Sequence, residues 1–93
     1  MLQTKIKENF TERNPEKILE SIKKSIRKNK SANMTIDISM LNPIDASKIV
    51  TIGSTYNFLK FNDTKINWIV SSNEVEKLTK PFNLDNCHFI YCV

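Results

Sequence analysis

Apolar positions along the chain alternate between two periods. Between 14 and 29 they recur every three to four residues: Ile18, Leu19, Ile22 and Ile26 form one stripe, opposite Lys17, Lys23, Lys24, Arg27 and Lys28. Asn14 suits an N-cap, Pro15 the first helical position and Glu16 the positive helix end, so a helix is predicted over 14–29. MTIDIS, 34–39, is rich in β-branched residues and reads as a strand. A helical pattern returns from 46 to 60 with Ile49, Ile52, Tyr56 and Leu59 as its stripe, widened by Val50 and Phe58. Asn42-Pro43 breaks the chain before it, and Asp45 is the expected N-cap. Gly53 within this helix costs about 1 kcal/mol relative to alanine, which marks a close approach to a strand or helix.

INWIV, 66–70, is apolar but for Asn67, as a buried strand would be. Ser71 to Glu74 form a capping box, with Ser71 as cap and Glu74 reaching back, and open a short helix that Pro81 ends. Residues 87–92 read as a last strand, and 3–10 alternate weakly as a first, edge strand. The order β-α-β-α-β-α-β predicts an α/β fold: a four-stranded, mostly parallel or mixed sheet with three helices. The pattern leaves open whether the helices share one side of the sheet. The expected core is Ile18, Leu19, Ile22, Ile26, Ile36, Ile38, Ile49, Ile52, Leu59, Trp68, Val70, Val75, Leu78, Phe89 and Tyr91.

A chain of 93 residues fits a single domain, 1–93. At this size only about 60–65% of the unfolded surface is buried, which leaves little volume for a deep substrate cavity. The hydrophobic share of 40% argues against disorder. No run reaches the roughly 20 apolar residues of a membrane span, and MLQTKIKENFTERN has no signal-peptide core, so the expected location is the cytoplasm. The net charge of +4 is uneven: residues 1–30 hold nine Lys/Arg against four Glu, and the rest hold five against six acids. The first helix therefore carries a basic face. That face makes a nucleic-acid-binding domain the rival reading, although Glu8, Glu12, Glu16 and Glu20 dilute it and no aromatic residue is interleaved.

Catalytic signatures are absent. A single glycine rules out a glycine-rich phosphate loop. On a strand, the odd spacing of Cys87 and Cys92 puts the thiols on opposite faces, out of disulfide or shared-metal reach. His88 adjoins Cys87 but points the other way, so the two make no nucleophile–base couple. Buried reduced thiols, no metal, no cofactor and no enzymatic activity are the expectation. Trp68 and Tyr56 occupy apolar periodic positions that suit core packing.

The passage IDISMLNPIDASKIVTIG leaves a strand, turns and opens a helix whose free N–H groups favour negative charge. Here the sequence resembles the STAS family, named for sulfate transporters and anti-sigma factor antagonists. That family's core runs from a helix to a strand ending in an Asp-x-Ser type motif. A loop then leads to Ile/Met-Asp-Ser-Ser/Thr-Gly-Leu, which opens a helix. Asp37 and Ser39 match the strand's polar end, Ile44-Asp45 the hydrophobic–acid pair, and Ser47 the second hydroxyl position. INWIVSSNEVEKLTKPFNLDNCHFI is similar to the family's later strand, short helix, loop and last strand, and the likeness covers about 14–91. Two positions depart: Ala46 stands at the first hydroxyl and Lys48 at the glycine. The resemblance implies a regulatory interaction module. It would dock a partner through 42–47, with Asp37, Ser39, Pro43, Asp45, Ser47 and Lys48 on the surface. An anti-sigma kinase would phosphorylate a serine there; the acceptor register falls on Ala46 or on Ser47, and only Ser47 can accept. Other family members dock on an ABC-transporter ATPase without phosphorylation.

Overall fold

A computed structural model describes residues 6–9, 14–28, 33–61 and 64–91. The chain is an α/β domain. Its elements run β1 (Ile6–Asn9), α1 (Pro15–Lys28), β2 (Met34–Asp37), α2 (Pro43–Lys60), β3 (Ile66–Val70) and α3 (Glu74–Thr79). A short 3₁₀ turn, Lys80–Phe82, then leads to β4 (Cys87–Tyr91). Strands β2, β3 and β4 pair in parallel, Ile36 beside Trp68 and Trp68 beside Phe89, and β1 lies along the outer edge of β2.

The strand order follows the chain order. Each right-handed crossover then steps one strand in the same direction, which puts all three helices on one face. α1 packs on α2 and α2 on α3. Burial alternates accordingly. Met34, Ile36, Ile38, Ile66, Trp68 and Val70 are buried under the helices, while Thr35, Asp37, Asn67 and Ile69 are only half-covered on the other face. Ile18, Ile22 and Ile26 of α1 complete the core with Ile49 and Val50 of α2 and Val75 of α3.

Several boundaries move. α2 begins at Pro43, and its N-cap is Asn42, not Asp45. Asn42 Oδ1 accepts from the Asp45 N–H at 2.9 Å while its Nδ2 donates to the Asp45 carboxylate at 3.0 Å. Proline at the first helical position loses no hydrogen bond, so the turn residues are recruited into the helix. At α3, Ser72, not Ser71, accepts the Glu74 N–H. β2 ends at Asp37 because one carboxylate oxygen of Asp37 accepts both the N–H (2.9 Å) and the hydroxyl (2.6 Å) of Ser39, which turns the chain. Asn83 takes a left-handed conformation (φ 52°), which asparagine tolerates better than most side chains. Cys92 and the outer parts of the 3–10 strand lie outside the described residues.

Four expected core residues face outward instead: Ile52, Leu59, Leu78 and Tyr91. α2 has a different inner face, made of Ala46, Ile49, Val50, Gly53, Ser54 and Asn57. Small residues let the helix sit close to the sheet over Trp68. A Cβ placed on Gly53 would lie 3.0 Å from Trp68 Cη2.

Candidate functional site

The strand–turn–helix passage brings Asp37, Ser39, Pro43, Asp45, Ser47 and Lys48 to the carboxyl end of β2 and the start of α2. They do not act as one cluster. Asp37 and Ser39 are tied to each other, and Asp45 is tied to Asn42. Ser47 lies in the second turn of α2, not the first. Its hydroxyl donates to the Ile44 carbonyl at 2.7 Å and the residue is half-buried. The free amides of a helix start belong to its first four residues, so Ser47 is not the anion-facing group expected of it. Ala46 is buried at 1% exposure and has no hydroxyl. Lys48 is exposed.

α2 also presents an apolar outer face. Ile44 (61% exposed), Ile52 (44%) and Leu59 (76%) lie with Lys48 and Thr55 on one outward stripe, and Phe58 (54%) flanks it. At the C-terminal end of α2, Tyr56 is half-buried between α1 and α2. The Lys23 and Lys60 ammonium groups stand 5.5 and 5.7 Å from its ring centroid, and Arg27 donates to its hydroxyl at 3.0 Å. Both lysines are within cation–π reach.

A polar chain crosses the core beneath this helix. The Trp68 indole donates to Ser54 Oγ at 3.0 Å, Ser54 Oγ contacts Cys87 Sγ at 2.7 Å, and Asn86 donates to the Ser54 carbonyl at 2.9 Å. Burial pushes the Cys87 thiol above its ordinary 9.0, partly offset by its contacts with Ser54 and Trp68. A thiol so held is a weak nucleophile at neutral pH. His88 faces the opposite side of β4 and is exposed, so no Cys–His couple forms. On the outer edge Tyr91 donates its hydroxyl to the Glu76 carboxylate, which raises the phenol above its ordinary 10.0. The groove beside this pair, about 620 Å³ between α3 and β4, is open and shallow. Among the described residues no cluster of His, Cys, Asp and Glu is arranged to hold a metal, and no helix is long and apolar enough to cross a membrane.

Open α/β sheets bind ligands where the strand order reverses, and this order has no reversal. Comparison with known protein families, with curated proteins and with solved structures returned no match. Sequence reasoning missed Ile44 and Phe58 as outward groups and Tyr56 as a clamp for three cations. The available signal was the spacing of Ala46, Gly53, Ser54 and Asn57, which marks the close-packed side of α2 and leaves the large apolar residues outside.

Proposed function

We propose that this protein is a non-enzymatic regulatory module, STAS-like in character, that docks a protein partner on the start and outer face of α2. One observation carries the reading: the central helix is apolar on both sides, and Ile44, Phe58 and Leu59 on its outer side keep more than half of their surface exposed. Large outward apolar residues grouped on one element mark an interaction surface. Ile44, Ser47, Lys48 and Ile52 form the part nearest the strand–turn–helix passage that resembles the STAS motif. The partner would be of the anti-sigma kinase or transporter-ATPase type. With Ala46 buried, Ser47 is the residue at which phosphorylation would switch docking off. Two added negative charges beside Ile44 would oppose an apolar contact.

A photo-crosslinking residue at position 44 tests this in the native cell, with position 88 on the far face of the sheet as control. The expected result is one protein trapped from 44 and not from 88. Recovery of nucleic acid instead, with binding that falls steeply as salt rises, would establish the rival basic-face reading.

A further inference from the structure

α1 and α2 lie side by side, and a furrow runs along their outer surface. Its first part, about 470 Å³, is lined by Leu19, Lys48 and Ile52, with Glu16 and Asp45 at the end where both helices begin. Its second part, about 290 Å³, shares Ile52 and continues over Tyr56 and Leu59 to Lys23. Leu19, Ile49 and Ile52 give the first part its apolar floor, and Ile52, Tyr56 and Leu59 the second. Glu16 and Asp45 stand at the helix starts with Lys48 among them, and farther along Lys23, Arg27 and Lys60 gather around Tyr56. We infer that this furrow receives an amphipathic helix of a protein partner, about four turns long, with its carboxylates over Lys23, Arg27 and Lys60. The proposal rests on the docking reading for the existence of a partner and adds the partner's chemistry.

Length and charge both point this way. From Asp45 to Leu59 the furrow spans about 21 Å at 1.5 Å per residue, the length of a four-turn helix. Apolar anchors at helical spacing in such a groove are a common mode of helix recognition. The three cations are gathered at Tyr56, two over its ring and one on its hydroxyl, so less side-chain freedom is lost when a carboxylate arrives. Arg27 uses one N–H on Tyr56, and its remaining donors suit a carboxylate. Attraction to the helix dipole accounts for basic residues near helix ends but not for two ammonium groups on one ring. A polyphosphate chain laid along the furrow would meet Glu16 and Asp45 at its other end, which disfavours nucleic acid.

The test uses the whole chain and a labelled, staple-stabilised 16-residue helix with one leucine stripe and glutamates at one end. Its lysine-for-glutamate twin and a scrambled version are the controls, and anisotropy reads binding. The acidic helix is expected to bind at least roughly tenfold tighter than either control. Lys60→Glu alone should erase that preference, and Lys23→Glu with Lys60→Glu should reverse it. Leu59→Asp should weaken both helices by a similar factor. Circular dichroism checks that each variant folds, and Lys60 is exposed, so the single change spares the core. Equal binding of the twins overturns the proposal, as does indifference to Lys60→Glu. Tighter binding to a single-stranded oligonucleotide or to phosphatidylserine vesicles, unaffected by Leu59→Asp, overturns it too. So does a dimer in sedimentation that Leu59→Asp converts to a monomer. A protein trapped at position 44 without the acidic preference sinks this inference alone. The acidic preference without a trapped protein sinks the docking reading alone.

Discussion

Gly53 and Trp68 meet closely in the core. In an exposed helix Gly→Ala would add about 1 kcal/mol of stability. Here the new methyl would press on Trp68 at 3.0 and 3.3 Å, and Trp68 is fully buried with its indole tied to Ser54. Overpacking of this kind costs about 1–3 kcal/mol, which outweighs the helix gain. Gly53→Ala is therefore expected to destabilise the domain by about 1 kcal/mol in urea denaturation. A gain would mean that Trp68 can move aside. Cys87 makes a pH prediction at the same scale. Its thiol is raised in the folded state by burial, so the unfolded chain ionises first. The stability that depends on the neutral thiol is present below the ordinary value of 9.0 and is lost as pH rises through the folded value. Cys87→Ala should lose less stability between neutral pH and about pH 10 than the parent protein. Parallel loss in the two proteins would count against the burial argument.

α2 carries both part of the core and the proposed docking surface. Its start depends on Asn42, which accepts from the Asp45 amide and donates to the Asp45 carboxylate. Asn42→Ala should cost about 1 kcal/mol, the usual loss of an N-cap, measured as a shift of the urea midpoint. A comparable loss from Ser71→Ala is not expected, because the Glu74 amide at the start of α3 is met by Ser72. Ser47 now carries a sharper prediction. Its hydroxyl closes on the Ile44 carbonyl within the helix, a bond that does little for helix stability. Ser47→Asp should leave the melting temperature within a few degrees while weakening capture of the partner from position 44. Normal capture by this variant would remove the switch and leave Ser47 a plain helix residue.

For the molecule as a whole, stability and the proposed docking draw on different apolar residues. Ile22 and Ile36 are fully buried between helices and sheet. Truncating either to alanine should cost about 2–5 kcal/mol, a large part of a small domain's total of about 5–15 kcal/mol. Ile44 and Leu59 are large, apolar and outward. Ile44→Glu and Leu59→Glu should change stability by no more than about 0.5 kcal/mol, as surface changes usually do. Equal damage from the two sets in thermal melts would mean that the outer face of α2 is covered within the domain.

The repeating order of elements was legible in the sequence because it depends on local pattern. The basic stripe of α1 opposite Ile18, Ile22 and Ile26, the apolar INWIV run and the proline stops are short-range signals that survive in any context. The tightness around Gly53 was legible too, since a lone glycine inside a helix needs a reason. The capping of α2 was misread by three residues, because Asn42-Pro43 serves as a chain break and as a helix start alike, and only the backbone chooses. Which side of α2 is inner could not be read from hydrophobicity, because the helix is apolar on both. The position of Trp68 beneath it decided the matter. The bulky indole lies against Gly53 and Ser54, while Ile52 and Leu59 fall on the outer side of the helix. Lys60 is the i+4 neighbour of Tyr56 on α2, but Lys23 and Arg27 reach it only because α1 and α2 lie side by side, a contact between residues about thirty positions apart. The sequence determined the layers; the packing of one helix against a tryptophan determined which apolar residues hold the fold and which stay outside it.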